Sequence, residues 1–241
     1  MSDTEIALVV GAGPGLSASL TRIFTKEGMK VAIAARDTAK LSDICKQTGC
    51  ISYSCDAADG DQVDSLFNKV VNDLGVPNIV IYNAAARARG PIEELDREAV
   101  KNAIMVSCYA GFLIGQNAAK LMIKRGGGSI FFTGASASTK GYVNSSSFAM
   151  GKFGLRGLAQ SMARELSPKN IHVGHFIIDG GIRKGPDDPR EKRSLSDGHS
   201  GEPIDSLLDP DAIAATYLNV HRQSRTAWTW EVELRPWVEK F

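Results

Sequence analysis

Short runs of β-branched and aliphatic residues alternate with longer stretches of helical periodicity along nearly the whole chain, and this alternation narrows the available folds more than any other feature. The apolar runs are Ile6 to Val10, Val31 to Ala35, Ile51 to Ser54, Asn78 to Tyr82, Ser129 to Thr133, His172 to Ile178 and Thr229 to Leu234. Most are apolar at successive positions rather than at every second one, so as strands they need cover on both faces. Helical patterns fill the intervals: Leu16 to Glu27, Thr38 to Lys46, Asp61 to Leu74, Glu98 to Lys124, Ser145 to Leu166 and Pro210 to His221. The pattern predicts an α/β chain with a doubly wound parallel sheet of about seven strands and helices on both faces.

Composition removes several alternatives. A chain of 241 residues, 43% hydrophobic and 23% charged, buries a substantial core without disulfides or a metal. Lys and Arg total 28 against 27 Asp and Glu, a formal charge of +1. That balance offers no field for a phosphate backbone or an anionic bilayer, so neither nucleic acid nor membrane is an expected partner. The stretch Met1 to Glu5 is polar and acidic, and no apolar run approaches the ~18 residues of a spanning helix, which predicts a cytoplasmic protein. Cys45, Cys50 and Cys55 fall five apart, a spacing used neither by zinc ribbons nor by redox CxxC pairs, and they read as reduced thiols. His172, His175, His199 and His221 lack clustered ligand spacings, so no metal is expected.

One segment interrupts the rhythm. Residues 183–208 are rich in charge and are punctuated by Pro186, Pro189, Gly198, Gly201 and Pro203. They read as a mobile loop following a strand end, either an ordinary surface insertion or a cover on the substrate side. Too few residues follow it to build a second core, so residues 1–241 are read as a single domain.

Directly after the first apolar run stands Gly11-Ala12-Gly13-Pro14-Gly15-Leu16-Ser17, and an amphipathic helix begins there. Glycines between a first strand and a first helix let the chain turn tightly, bring backbone close to a pyrophosphate and leave helix N-terminal N–H groups facing the anion. The fold is therefore expected to be of the Rossmann, NAD(P)-binding type. The end of the second strand reads Ala34-Ala35-Arg36-Asp37. A carboxylate at position 35 would hold both ribose hydroxyls and repel a 2′-phosphate, whereas alanine followed by Arg36 leaves room and a planar cation for that phosphate. NADP is favoured over NAD, the alternative being that Arg36 is a solvated charge and Asp37 takes the ribose.

Over nearly its whole length the chain resembles the short-chain dehydrogenase/reductase family. Gly11, Gly15 and Ser17 match that family's Gly-x-x-x-Gly-x-Gly turn with serine in the third place, Asp56 matches its adenine-contacting aspartate, and Asn83-Ala84-Ala85 matches its Asn-Ala-Gly. The runs Thr133 to Ser138, Phe148 to Phe153, Ile178 to Ile182 and Leu234 to Trp237 resemble one branch of that family, with phenylalanine in place of the catalytic tyrosine. The cofactor contacts implied by the resemblance are Gly11, Gly13, Gly15, Leu16, Ser17, Arg36, Asp56, Ala57, Asn83, Ala84, Ala85, Lys152, Gly180 and Ile182.

The catalytic pattern departs from the family. Its chemistry uses a tyrosine as proton donor, a lysine four residues later, a serine that orients the carbonyl and an asparagine that holds a water relay. Lys152 is present, but four residues before it stands Phe148, the serine position holds Ala135 and the asparagine position falls at Ser107. Losing a general acid commonly costs about a hundred- to ten-thousand-fold in rate. Ser136, Ser138 and Tyr142 are the nearby hydroxyls that could substitute, against plain roles as turn acceptors or a pocket wall. Lys152 is expected either to meet cofactor hydroxyls or to snorkel outward, because an unpaired buried ammonium is costly. Near Asp179-Gly180, where the family has Pro-Gly followed by threonine, Arg183 or Lys184 could serve the pyrophosphate by charge.

Two functions follow as expectations: an NADP(H)-dependent oxidoreductase acting on a small carbonyl, alcohol or conjugated double bond with a non-standard proton donor, or a catalytically silent NADP-binding sensor or partner protein. The resemblance also implies a homodimer or homotetramer built on the long helices around Phe112, Leu113, Leu155 and Leu158. The tail from Trp228 to Phe241 packs either on a neighbouring copy or on its own chain.

Overall fold

The computed structural model describes residues 4–185, 187–193 and 201–240. Seven parallel strands form one sheet: β1 (Ile6–Val10), β2 (Lys30–Ala35), β3 (Ile51–Ser54), β4 (Ile79–Tyr82), β5 (Gly128–Thr133), β6 (Ile171–Ile178) and β7 (Glu231–Leu234), in the spatial order β3-β2-β1-β4-β5-β6-β7. Successive residues of one strand face opposite sides, and each side has its own apolar layer. Leu8 and Val10 belong to one layer while Ala7 and Val9 belong to the other. Burial on both faces is why β1 reads as an unbroken apolar run and not as an alternating one; β6 is buried at every position too, with His172 and His175 among its apolar residues.

The helices are α1 (Leu16–Lys26), α2 (Ser42–Thr48), α3 (Gly60–Asp73), α4 (Arg97–Ile104), α5 (Ala110–Arg125), α6 (Ser146–Leu166) and α7 (Pro210–His221). The sequence predicts one helix from Glu98 to Lys124, and the structure is helical throughout that span, with one local departure from α geometry. A π-helical turn at Met105–Tyr109 separates α4 from α5 and turns Ser107 inward, where its hydroxyl bonds the main chain of Ala86. The expected helix from Thr38 begins instead as a 3-10 turn at Ala39–Leu41, and the last strand begins at Glu231 where Thr229 was expected. None of the described helices is long and apolar enough to cross a membrane.

The strand order reverses at β1, which pairs with β2 on one side and β4 on the other. Connections then leave toward opposite edges of the sheet and open a crevice at the carboxyl ends of these strands. Gly11 directly follows β1 there and Asn83 directly follows β4. Asn83 donates from Nδ2 to Ser17 Oγ at 2.7 Å, and Ser17 Oγ donates to the Gly11 carbonyl at 3.2 Å, so the two strand ends and the start of α1 are tied together.

The segment after β6 crosses the same end of the sheet. Ile182 bridges Leu208, and Arg183 pairs with Glu191 and Asp205. Of the loop expected at 183–208, position 186 and positions 194–200 lie outside the described residues. In the carboxyl-terminal tail, Trp228 stacks on His172 at 4.7 Å, and the Trp237 indole donates to the Ile204 carbonyl while the residue stays 79% exposed.

Candidate functional site

Two cavities lie along the carboxyl ends of the strands, of about 520 and about 870 Å³. Both are lined by Gly11, Asn83 and Ala85, so they are halves of one groove. The smaller half holds Arg36, Asp37, Lys40, Asp56 and Ala57. The larger half runs from Gly13, Gly15, Leu16 and Ser17 to Phe148, Lys152, Tyr142, Gly180 and Ile182.

The turn after β1 is shaped for a ligand close to the backbone. Gly11 has φ +84, and a Cβ there would lie 2.4 Å from the Ala84 nitrogen, so only glycine fits. Gly13 and Gly15 have no protein atom within 4 Å of where a Cβ would sit, which leaves bare backbone facing the groove. Gly15 caps α1 without a side-chain acceptor, and the first turn of α1 has no acidic residue; the Ala18 N–H turns back to the Gly15 carbonyl at 2.9 Å, which leaves the Leu16 and Ser17 N–H groups to meet an anion. These residues fit the pyrophosphate of a dinucleotide.

At the smaller end, Asp37 accepts from the Ala39 N–H at 3.0 Å and pairs with Lys40 at 3.4 Å. The Arg36 guanidinium is exposed and has no carboxylate partner among the described residues. Asp37 is therefore held by its own turn, while Arg36 is available to the groove. Asp56 is fixed through its N–H to Gln62 Oε1 and its carboxylate to the Ala58 N–H, which presents Ala57 and Asp56 at the rim.

Lys152 on α6 is 3% exposed and donates from Nζ to the Thr133 carbonyl at 2.7 Å. Burial, reinforced by the nearby Arg87 guanidinium, lowers its pKa to about 7. The side chain neither snorkels outward nor stands unpartnered; β5 supplies its acceptor. Phe148, one turn earlier on α6, is buried beneath the Arg87 guanidinium, whose carbon lies 3.8 Å from the ring centroid. Arg87 was not among the residues singled out in the sequence; it sits in the loop after β4 and becomes part of the site only because that loop meets α6.

The three hydroxyls anticipated near Lys152 part company. Ser136 and Tyr142 line the larger cavity. Ser138 does not, contrary to expectation: its side chain is fully buried and accepts from the Ala135 N–H at 3.1 Å. Behind it, Ser138 Oγ lies 3.4 Å from His175 Nε2, His175 Nδ1 lies 2.9 Å from Glu231, and Arg156 holds both Glu231 oxygens at 2.7 Å. Burial lowers the His175 pKa to about 4, so the ring is neutral, donating from Nδ1 to Glu231 and accepting at Nε2. This chain of groups braces the wall beneath Ala135 and does not face the groove.

The departure at Asp179 has a physical reason. Its N–H donates to the Leu234 carbonyl at 2.8 Å, a bond proline could not make, and its carboxylate is shared by Lys140 and Arg235. Arg183, expected near the pyrophosphate, is turned to Glu191 and Asp205; the cation that lines the groove from this segment is Arg190, itself paired with Asp188.

A family model described as short chain dehydrogenase matches residues 5–183. A short-chain dehydrogenase from Rhodopseudomonas palustris superimposes with a TM-score of 0.80 at 33% identity, covering 96% of this chain and 99% of its own. Carbonyl reductase family member 4 of Xenopus tropicalis is 24% identical over 216 residues, 89% of this chain and 90% of that protein. A metagenomic short-chain oxidoreductase solved in complex with NADP has a TM-score of 0.80 at 22% identity, covering 96% of this chain and 97% of that one, a likeness of fold.

Proposed function

The chain belongs to the short-chain dehydrogenase family, and on that premise we propose that it is an NADP(H)-dependent oxidoreductase acting on a small carbonyl compound, alcohol or conjugated double bond. The observation that carries the reading is the continuous groove from Arg36 to Lys152, shared across Gly11, Asn83 and Ala85. A related fold solved with NADP supports the choice of nucleotide.

Each part of the groove then has a task. The backbone of Gly13 to Ser17 holds the pyrophosphate, and Arg36 meets the 2′-phosphate with a planar, charge-assisted fork. Lys152, already oriented by Thr133, gives its remaining N–H donors to the nicotinamide ribose hydroxyls. Bound there, the nicotinamide supplies or accepts the hydride. The accompanying proton cannot come from Phe148 or Ala135, which end in carbon. Tyr142 and Ser136 line the same cavity and are the hydroxyls that would supply the proton.

The carbon at both expected hydroxyl positions favours a second reading, a silent NADP-binding protein. NADPH oxidation over a panel of carbonyl compounds separates the two. Turnover by the natural chain that falls in Tyr142→Phe or Ser136→Ala supports the enzyme and identifies its donor. Binding of NADPH without turnover, with activity appearing only in Phe148→Tyr, supports the silent protein.

A further inference from the structure

We propose that Arg87 and Arg89 form an anion-binding wall in the substrate half of the groove, so that the substrate of this chain carries a negatively charged group, a carboxylate or a phosphate. The inference rests on the oxidoreductase reading and narrows its substrate class.

The wall is built rather than incidental. Ser107 Oγ accepts from the Ala86 N–H and donates to the Ala86 carbonyl, both at 3.0 Å. Ser147 Oγ does the same for Ala88, at 3.0 and 2.8 Å. Both serines are fully buried, so the main chain on either side of Arg87 is pinned at donor and acceptor alike. Between these pins the Arg87 guanidinium carbon lies over the Phe148 ring, 3.8 Å from its centroid, so one side of the cation rests on carbon and makes no hydrogen bond there.

The charge of this wall is not answered by the protein. Neither Arg87 nor Arg89 pairs with a carboxylate or donates a side-chain hydrogen bond among the described residues, though both line the larger cavity. Of the two carboxylates on that cavity, Asp179 is already shared by Lys140 and Arg235, and Glu239 belongs to the carboxyl-terminal tail. Arg87 also helps to lower the Lys152 pKa, so the two cations repel each other. An anion beside them relieves that repulsion and meets a guanidinium in its bidentate geometry. The nucleotide's 2′-phosphate has its own cation in Arg36, in the half of the groove that Arg87 and Arg89 do not line.

Ligand-observed NMR titration tests the wall with two matched pairs: acetoacetate against methyl acetoacetate, and dihydroxyacetone phosphate against dihydroxyacetone. Each is titrated into the full chain with and without NADP⁺. A preference of roughly tenfold or more for the anion of either pair, reduced to near parity in Arg87→Gln and Arg89→Gln, supports the proposal, and the pair that shows it distinguishes carboxylate from phosphate. Equal affinity within both pairs, no anion binding, or a preference unchanged in both variants overturns it. Titration of NADP⁺ alone tests the oxidoreductase reading separately: its failure removes that reading, while the anion-to-neutral ratio on the nucleotide-free chain still decides the wall. Both arginines are exposed, and unchanged thermal melting of the variants verifies their folding.

Discussion

The ammonium nitrogen of Lys152 lies 2.7 Å from the main-chain carbonyl oxygen of Thr133, in a pocket that leaves the lysine 3% exposed. A strand carbonyl thus holds the charge that the groove presents to its ligand, and one hydrogen bond offsets only part of the desolvation of a buried ammonium.

That imbalance predicts a pH signature. Burial lowers the folded-state pKa to about 7 from an ordinary 10.5, so between these values the unfolded chain binds more protons than the folded one. The lysine's cost is complete below about pH 7 and disappears as pH rises toward 10.5. Lys152→Met is expected to gain most in stability relative to the natural chain near pH 6, with the difference shrinking toward pH 10. Urea denaturation across this range checks it; a difference independent of pH would contradict the assignment.

Gly134 marks a close approach. A Cβ there would sit 2.4 Å from His175 Nε2, and the ring cannot withdraw because Glu231 and Arg156 hold it from behind. Gly134→Ala should cost about 1–3 kcal/mol as overpacking, read as a lower urea midpoint at unchanged slope.

The same imidazole makes the fold acid-sensitive. Its folded pKa of about 4 lies below the ordinary 6.5, so the unfolded chain takes the proton first and His175 weakens the fold as pH falls from about 6.5 to about 4. His175→Gln should flatten stability over that window, and equilibrium denaturation at several pH values is the measurement.

Arg36 is predicted to set nucleotide preference. Arg36→Ala should weaken NADPH binding by roughly ten- to a hundredfold, the worth of a charge-assisted contact of about 1.5–3 kcal/mol, and leave NADH binding much less affected. Fluorescence titration with both nucleotides checks it; equal losses for both would return the ribose end to Asp37.

Tyr109, Phe112, Met150 and Phe153 are each between 40% and 54% exposed, on the π-helical turn, α5 and α6. So many large apolar side chains on adjoining elements predict association of copies. Sedimentation at micromolar concentration should give a dimer or tetramer, and Phe112→Glu with Phe153→Glu should lower the mass. A natural chain that sediments as a monomer would refute this.

The arrangement of the sheet and the nucleotide end of the groove were legible in the sequence. Unbroken apolar runs specify strands buried on both faces, glycines after the first strand specify a close backbone approach, and the four-residue step from Lys152 to Phe148 is one helical turn. All of these act over a few residues, through periodicity and turn chemistry, so the linear order of residues determines them. The substrate end depended on tertiary structure. Arg87 reads as an ordinary loop charge until its loop meets α6, and Ser138 reads as a candidate donor until its turn buries it against His175. The two serines that pin the Arg87 loop are separated from their partners by 21 and 59 residues. Which of these groups face the groove was decided when β4, β5 and α6 came together, because hydrogen-bond partners that distant in sequence are chosen by the order of the strands and not by any local pattern.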